Sequence, residues 1–302
     1  DDGVTRLFIG TKNNNIGYLS FKSHRRFSEP KSIYIRKEAG QYTVSFCFDD
    51  GSEEPTTDKE HLEYLKGASK EWLEDYVIGV DRGVAIPVHT GVARYDFTAN
   101  QKRNKDNRER YLKRLQRRLA KQTKGSNRRQ KTKNNIARQH KKVANIRNDF
   151  CHKTSRKMVD SKAKVIIFEN LKTSNMTRKP KAKQDSNGKF ISNKAKQKAG
   201  LNKAILNVGW HFLETYTHYK AAKAGKAVFK IPAPLTSQEC APCDYTHPDN
   251  RKTQDLFLCG SCGHVDNADS NASFVVKKRA IKLFLDGSVE KRVDWQGYSP
   301  AG

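Results

Sequence analysis

The spacing of apolar residues divides this chain into a strand-rich beginning and a longer region of mixed strands and helices. In residues 1–55, runs of Ile, Val, Tyr and Phe alternate with turn residues, and they predict strands at 16–21, 31–36 and 41–48. We expect these strands to form part of a small β-barrel domain. Residues 56–75 predict a linker with one short helix, for which Asp58 is the candidate cap.

The mixed region contains three apolar runs of strand length. Residues 76–80, 165–168 and 227–231 are rich in Val, Ile and Phe, which predicts strands that are buried on both faces. Residues 84–89 and 92–97 predict two further short strands, which would form a meander with the first run. Strands that alternate with helical segments indicate an α/β fold class.

Helical periodicity predicts a hairpin of two basic helices. Apolar residues recur at helical spacing over 111–119 and over 136–150, and Gly125-Ser126-Asn127 separates the two stretches. Each helix has a narrow apolar edge that would pack on the sheet, while its Lys and Arg face remains outward.

Two further helices are predicted in the second half of the chain. A long helix is expected to start at Leu201 and to continue past Tyr216, and a final helix is expected over 274–285. We interpret Trp210 and Tyr216 as core residues rather than as base-stacking residues. Residues 172–200 predict an extended basic loop.

The positive charge of the chain is concentrated in two windows. The 302 residues carry a formal net charge of +27. Residues 101–147 contain 19 Lys or Arg and two acids, a net of +17, and residues 172–203 contain ten Lys or Arg and one acid, a net of +9. Such clusters suit a phosphate backbone, and a solvated basic face is the alternative. The mean hydropathy of −0.86 predicts no membrane span. We expect the protein to be cytoplasmic and associated with nucleic acid.

Four of the six cysteines form two C-x-x-C pairs. Cys240 and Cys243 make the first pair, Cys259 and Cys262 make the second, and 15 residues separate them. Tetrahedral zinc takes four such ligands, and two tight knuckles joined by a short hairpin deliver them. We therefore predict a structural zinc ribbon over 239–263 rather than two disulfides, which belong to oxidising compartments.

Two carboxylates directly follow predicted buried strands. Asp81 ends the run at 76–80, and Glu169 ends the run at 165–168. Side chains at strand ends are held rigidly at a sheet edge, which suits hard-cation ligation and two-metal phosphodiester hydrolysis. Ordinary charged strand ends are the alternative. A third carboxylate would come from Asp266 or Asp269, which precede the final helix.

These segments resemble, in order, the motifs of the TnpB (OrfB) family, transposon-encoded relatives of the type V CRISPR effector nucleases. Residues 77–84 (VIGVDRGV) are similar to the first RuvC motif, 167–171 (IFENL) with 175–177 (NMT) to the second, and 267–272 (NADSNA) to the third. This chain also resembles the family at 197–202 (QKAGLN), Gly209-Trp210, Thr236-Ser237-Gln238 and Asp249-Asn250-Arg251. The resemblance covers about residues 30–285 and selects Asp269 over Asp266.

The resemblance implies an RNA-guided DNA endonuclease of a mobile element. Its RNase H-like (RuvC) mixed sheet would span 76–238 and 264–286, with the ribbon inserted between them and a tail over 287–302. Asp81, Glu169 and Asp269 would hold two Mg²⁺ ions and cut DNA. Specificity would come from pairing between a guide RNA and target DNA. The basic windows would line the guide–target channel, with these contacts: Lys113, Arg114, Arg117, Arg118, Lys121, Arg128, Arg129, Arg138, Lys141 and Lys142.

The chain departs from the family pattern at two places. Ser273 and the following FVV replace the small residue and the Asn-Ile usual after the third motif, and we expect an effect on packing more than on chemistry. The chain begins with Asp1-Asp2-Gly3 and shows no helical recognition lobe, so we expect it to be N-terminally truncated. Two other hypotheses therefore stay open: a truncated or decayed nucleic-acid-binding relative that does not cut specific targets, and a zinc-ribbon regulatory protein.

Overall fold

The structure is a computed structural model of the 302-residue chain, and it describes residues 4–11, 13–23, 27–49, 51 and 54–288. The chain divides into two compact units. The first comprises residues 1–54 and 110–142, and the second comprises residues 55–109 and 143–302. The tail predicted over 287–302 lies almost entirely outside the described residues.

The strands of the first unit form two antiparallel hairpins. Their bounds are β1 Val4–Thr11, β2 Asn14–Lys22, β3 Ser32–Glu38 and β4 Gln41–Cys47. Among the described residues no backbone ladder joins the two hairpins, so the partial barrel of the prediction is here a pair of hairpins. They meet through aromatic packing, because the rings of Phe21 on β2 and Phe46 on β4 lie 5.5 Å apart, and Phe27 from the connecting segment stacks on Phe46 at 4.3 Å.

The predicted linker contributes to the core of the second unit. It contains two helices, α1 Asp58–Lys66 and α2 Lys70–Tyr76. Thr57, not Asp58, caps α1, because its hydroxyl accepts from the N–H of Glu60 and the Glu60 carboxylate accepts from the N–H of Thr57. The buried leucines of the two helices pack in the same cluster as the sheet: Leu62, Leu65 and Leu73.

The next segment contains the first central strand, a short hairpin and the two long basic helices. The bounds are β5 Val77–Val80, β6 Val88–His89, β7 Arg94–Tyr95, α3 Ala99–Ala120 and α4 Asn127–Val159. The predicted meander is shorter than expected, because β6 and β7 are two residues each and a single bridge, Asp81 to His89, joins β6 to the end of β5. The carboxyl-terminal part of α4 packs in the core through Phe150 and Met158.

The predicted long helix after the second apolar run is broken in two. The elements here are β8 Val165–Glu169, α5 Thr173–Met176, β9 Lys183–Gln184, β10 Phe190–Ile191, α6 Ala195–Val208, α7 Trp210–Lys223 and β11 Ala227–Ile231. The break lies at Gly209, whose φ of +85° is left-handed and ends α6. A Cβ at Gly209 would also lie 2.7 Å from the side chain of Arg147, so glycine is required by both the backbone and the packing.

The three central strands form a parallel sheet in the order β11–β8–β5. All five residues of β8 are buried, as the continuous apolar run predicts for a strand covered on both faces. The remaining elements are a 3₁₀ turn at Pro248–Asn250, β12 Leu256–Leu258, β13 Val265–Asn267 and α8 Ala268–Leu285. Helix α8 packs on β5 and carries a large share of the buried core. Within the described part of the chain, no helix is long and apolar enough to cross a membrane.

Candidate active site

Asp81 and Glu169 lie side by side at one edge of the parallel sheet. Strands β5 and β8 pair in register up to Val80 and Phe168, and the two carboxylates come next on each strand. Because parallel strands end at the same edge of a sheet, the two carboxylates lie close enough to interact, and the charge of Glu169 raises the pKa of Asp81. Glu169 is only 5% exposed. Its carboxylate accepts a hydrogen bond from the hydroxyl of Thr236.

Asp269 reaches the same edge from the first turn of α8. The side chain of Asn267 caps this helix and accepts from the N–H groups of Asp269 and Ser270, at 3.1 and 3.2 Å. The close approach of α8 to β5 is possible because Gly79 has no side chain. A Cβ at Gly79 would lie 2.1 Å from the carbonyl oxygen of Ser273. Asp269 is 3% exposed, so it faces the interior and not solvent.

Glu169 and Asp269 lie close enough to Asp81 to change its ionisation. Burial raises the pKa of Asp81 well above its usual value, and the negative charges of Glu169 and Asp269 raise it further. Burial also raises the pKa of Glu169, although the hydrogen bond from Thr236 and the charge of Arg82 oppose that change. When carboxylates repel one another at a site shielded from water, a bound proton or cation stabilises the site. The donor set consists of hard oxygen ligands, which fits Mg²⁺.

Two arginines partly balance this negative charge. Arg82, with a side chain 3% exposed, donates to the backbone carbonyl of Glu169 and to the carboxylate of Glu214 at 3.0 Å. Arg251 belongs to the ribbon and donates to Asp269 at 3.3 Å. Both arginines lie within the quoted motifs, although no role was predicted for either of them. Their charges lower the pKa of Asp81, against the larger effects of burial and of the neighbouring acids.

His89 and Ser273 connect Asp81 to Asp269. The backbones of Asp81 and His89 exchange two hydrogen bonds, at 2.9 and 3.0 Å. The Nδ1 atom of His89 lies 3.2 Å from the Ser273 hydroxyl, which in turn lies 2.6 Å from the carbonyl oxygen of Asp269 and donates to it. Burial lowers the pKa of His89, while the charge of Asp269 opposes that change. The departure from the family pattern at Ser273 thus produces a specific contact at the site.

Asp266, the other candidate for the third carboxylate, lies close enough to His89 for its charge to raise the pKa of that imidazole, as the charge of Asp269 also does. It lines a groove of about 720 Å³ with Phe274 and Lys278. It is not among the charges that raise the pKa of Asp81, whereas Asp269 is. The geometry therefore agrees with the choice of Asp269 that the third motif suggested.

The four cysteines lie close enough together to bind a metal ion. Their sulfur atoms lie within 4.8 Å of one another, and among the described residues they are the one group of three or more Cys, His, Asp or Glu side chains gathered closely enough to hold an ion as they stand. Cys240 and Cys262 lie 3.6 Å apart, as do Cys243 and Cys259. The pKa of Cys259 is lowered to about 6. Desolvation is the largest single effect and raises this pKa, but the N–H groups of Cys262 and Ser261 and the neighbouring thiols together lower it by more. Such an arrangement fits zinc.

Most of the predicted nucleic-acid contacts lie on the exposed surface of the helical hairpin. Eight of the ten are exposed: Lys113, Arg114, Arg117, Arg118, Lys121, Arg128, Arg138 and Lys142. The other two have partners within the first unit. Arg129 donates to the backbone carbonyls of Leu119 and Gln122 and thereby closes the end of α3, and Lys141 pairs with Glu38.

Comparisons with known proteins give consistent matches along the chain. Residues 66–179 match the family profile OrfB_IS605, described as "Probable transposase", and residues 210–276 match the profile "Cas12f1-like, TNB domain". The chain is 36% identical over 276 residues to "Putative RNA-guided DNA endonuclease InsQ" of Escherichia coli (strain K12), which covers 90% of this chain and 61% of that protein.

Two further matches are to Cas12f1 proteins. The chain is 30% identical over 213 residues to "CRISPR-associated endodeoxyribonuclease Cas12f1" of Sulfoacidibacillus thermotolerans, which covers 65% of this chain and 44% of that protein. A Cas12f1 chain, solved by cryo-EM as a Cas12f1–sgRNA–target DNA complex, superposes with a TM-score of 0.44 at 14% identity, over 93% of this chain and 68% of that chain. This chain spans 61% and 44% of the lengths of these two curated relatives.

Proposed function

We propose, from the premise that this chain belongs to the OrfB (TnpB) family of transposon-encoded proteins, that it is a metal-dependent, RNA-guided DNA endonuclease. The observation that carries the proposal is the convergence of three acids from separate parts of the chain, the partly buried Asp81 and the buried Glu169 and Asp269, at one edge of a parallel sheet. The names of the relatives support the same activity, and the chain spans 61% of the first of them.

The fold at the site is proposed to be RNase H-like, with a RuvC-type arrangement of acids. When bound, Mg²⁺ ions would activate water and stabilise the leaving oxygen of the phosphodiester. Asp81, Glu169 and Asp269 would hold them. Because Asp81 and Glu169 follow paired strands, the protein fixes their separation before any ion arrives. Glu214 and the Glu169 carbonyl anchor Arg82, which holds the backbone around Glu169 in place.

Arg251 is proposed to act on charge at the same site. Its guanidinium is about one quarter exposed and contacts Asp269, so it lies where a phosphate approaching the carboxylates would pass. A guanidinium is always protonated and can donate to phosphate oxygens in a fixed geometry. The ribbon that carries Arg251 would therefore contribute both a structural zinc centre and one cationic group to the reaction.

The partners are proposed to be a guide RNA and target DNA. The exposed lysines and arginines of α3 and α4 supply a dense cationic surface for phosphate backbones. In this scheme base pairing reads the sequence and the protein reads the backbone. Affinity for nucleic acid should fall steeply with salt, because the slope of log K against the logarithm of the salt concentration is about −0.9 for each phosphate of duplex DNA that the protein contacts.

The test is cleavage by the purified chain, with the RNA it retains, of labelled single-stranded and double-stranded DNA in Mg²⁺ or in EDTA. Asp81→Ala and Glu169→Gln should abolish Mg²⁺-dependent cleavage while DNA affinity stays near that of the parent chain. Asp266→Asn is the matched control and should cut normally. Cleavage by Asp81→Ala at the parent rate would rule out the proposed site.

Two further outcomes separate the alternatives. A parent chain that binds nucleic acid with steep salt dependence but never cuts would favour a binding relative without nuclease activity. Sequencing of the RNA that co-purifies with the chain tests the guided part of the proposal. One discrete RNA supports a guide, and a random cellular mixture contradicts it.

A further inference from the structure

The segment between β11 and the ribbon places one hydroxyl group against the carboxylate site. We refer to residues 232–239, which lead from β11 to the first ribbon cysteine, as the connecting turn. Its Thr236 is 4% exposed, and the hydroxyl of Thr236 donates to Oε1 of Glu169. The carbonyl oxygen of Ala233 is a second acceptor at 3.1 Å. The carboxylate is closer and charged, so it takes the single hydroxyl proton.

The backbone next to Thr236 has an unfavourable conformation. Leu235 has a φ of +66°, in the left-handed region that residues with a Cβ rarely adopt. The side chain of Leu235 is 54% exposed, so its burial does not explain this conformation. Its carbonyl oxygen accepts from the N–H groups of Gln238 and Glu239, at 2.9 and 3.0 Å, which closes the turn. A strained residue persists only where surrounding contacts fix it, and such residues cluster at functional sites.

Arg279 of α8 supplies contacts that fix the connecting turn. Its guanidinium donates to the carbonyl oxygens of Pro232 and Pro234, at 3.4 and 2.8 Å. It also donates to the carboxylate of Glu239 through two nitrogen atoms. These acceptors lie on both sides of Thr236 in the sequence, so one side chain holds both halves of the turn. A planar guanidinium makes such bonds in fixed directions, whereas an ammonium acts as a point charge.

Helix α8 therefore acts on two of the three carboxylates. It carries Asp269 in its first turn, and it reaches Glu169 through Arg279 and the connecting turn. Burial raises the pKa of Glu169, while the hydrogen bond from Thr236 and the charge of Arg279 oppose that change. Both groups thus lie near this carboxylate. A carboxylate that is hydrogen-bonded at one oxygen is held in one orientation, and its other oxygen keeps a fixed direction.

We propose that Thr236 is a positioning residue for the cation site: it orients the Glu169 carboxylate, and Arg279 holds Thr236 in place. The cation itself rests on the proposed function, whereas the contacts of Thr236 do not. Groups that hydrogen-bond to a metal ligand typically contribute a factor of about 10 to 100 in metal affinity. This assigns a role to the motif at 236–238, which the three acids and the four cysteines leave without one.

The test measures binding of Mn²⁺ by electron paramagnetic resonance without nucleic acid, because Mn²⁺ takes the same oxygen ligands as Mg²⁺. Asp81→Ala should abolish binding, which locates the ion at the carboxylates. Thr236→Val replaces the hydroxyl with a methyl group, and the Mn²⁺ dissociation constant should rise about tenfold or more. Thr236→Ser keeps the hydroxyl and should retain the parent affinity. Thr217→Val is the matched control and should bind as the parent does, because Thr217 is 0% exposed and its hydroxyl donates to Leu213 within α7.

A second substitution tests the part assigned to Arg279. Arg279→Lys keeps the positive charge and removes the planar group that binds the connecting turn. The Mn²⁺ dissociation constant should rise in this variant. The double variant with Thr236→Val should bind no more weakly than Thr236→Val alone, because the effect of Arg279 passes through Thr236. Melting curves in EDTA confirm that each variant is folded at the temperature of measurement, and Thr236→Ala replaces Thr236→Val if the latter is not.

Four results separate this proposal from the proposed function. Parent affinity for Mn²⁺ in Thr236→Val, together with its loss in Asp81→Ala, would reject Thr236 as a positioning residue and leave the carboxylate site intact. Fully additive losses in the double variant would mean that Arg279 does not act through Thr236. A parent chain that binds no Mn²⁺ would contradict both the cation site and the positioning role. A chain whose Mn²⁺ binding depends on Thr236 but which never cuts DNA would contradict the proposed function and support the positioning role.

Discussion

The two candidate metal sites of this protein are built in opposite ways. The four cysteines come from 23 consecutive positions of the chain, and their sulfurs already lie within 4.8 Å of one another. The three carboxylates come from positions 81, 169 and 269, and three separate elements bring them together. The first site depends on local spacing, and the second depends on the whole sheet and on the helix that packs against it.

The two sites also differ in how the chain holds them without an ion. Backbone N–H groups lower the pKa of Cys259 within its own knuckle. The carboxylates instead rely on groups from several elements, because the charges of Arg251 and Arg82 lower the pKa of Asp81 and the Thr236 hydroxyl donates to Glu169. The ribbon should therefore lose its structure when its metal is removed, whereas the carboxylate site should keep its shape and be under electrostatic stress. Three substitutions test this difference.

The largest effect is expected from Cys243→Ser. Removal of one of four sulfur ligands should release zinc and unfold the ribbon, because structural zinc sites contribute on the order of 10 kcal/mol of apparent binding energy. Since Arg251 and Asp269 lie in or next to the ribbon, DNA cleavage should be lost with the zinc. Zinc content by elemental analysis and the near-ultraviolet circular dichroism spectrum measure both changes.

Cys47→Ser is the control for that experiment. Cys47 is exposed in the first unit and lies outside the cysteine cluster. This variant should retain one zinc per chain and the parent melting temperature. A parent chain that contains no zinc after purification in the presence of zinc would contradict the assignment of the ribbon, and retention of zinc by Cys243→Ser would do the same.

An intermediate effect is expected from Gly79→Ala, which should damage the carboxylate site and spare the zinc. The added Cβ would meet the backbone of α8 at 2.1 Å from the Ser273 oxygen and 2.6 Å from the Lys277 nitrogen. Backbone cannot move aside as a flexible side chain can, so the helix must shift and carry Asp269 with it. We expect a loss of about 3 kcal/mol in the free energy of unfolding, with zinc content unchanged.

Gly200→Ala provides the matched comparison. Gly200 lies inside α6 with no atom within 4 Å of its Cβ position, so alanine there should be neutral or should stabilise the helix by up to about 1 kcal/mol. Urea unfolding curves of the two variants compare them directly. If Gly79→Ala unfolds at the parent urea concentration, the packing of α8 on β5 does not fix the position of Asp269.

The contrast between the two sites also explains what could be predicted from sequence. The cysteine spacing predicts the cluster of four sulfur atoms, because all four cysteines lie within one short segment. The apolar runs before Asp81 and Glu169 predict their strands and their common edge, because buried parallel strands have a distinctive composition. The choice of Asp269 over Asp266 needed the family motif, since both acids precede the helix predicted over 274–285.

Other features depend on contacts between distant residues and could not be read from local patterns. The apolar spacing from Leu201 to Tyr216 predicts one helix, but the left-handed Gly209 breaks it where Arg147 packs. The predicted linker over 56–75 joins the core because its leucines meet the sheet and α8, which periodicity alone does not reveal. The pairing of Arg251 with Asp269 joins the ribbon to the final helix, and spacing gives no sign of it.

The smallest and most specific effect is expected from Asp81→Asn in the metal-free protein. Burial and the charges of Glu169 and Asp269 raise the pKa of Asp81, so the folded state favours the protonated acid. That contribution to stability is complete below the unfolded pKa of about 3.9 and is lost as the pH rises through the raised value. At neutral pH Asp81 is therefore destabilising, and asparagine should increase the free energy of unfolding by about 1 kcal/mol. Melting temperatures in EDTA should show a difference between variant and parent that grows from pH 4 to pH 8, while Asp266→Asn should show none.

Added Mg²⁺ should stabilise the parent chain more than the variant, because the variant lacks the carboxylate whose repulsion the ion relieves. Equal melting temperatures at every pH would mean that the three acids do not repel one another, and the distinction between a locally complete zinc site and an electrostatically stressed carboxylate site would fail.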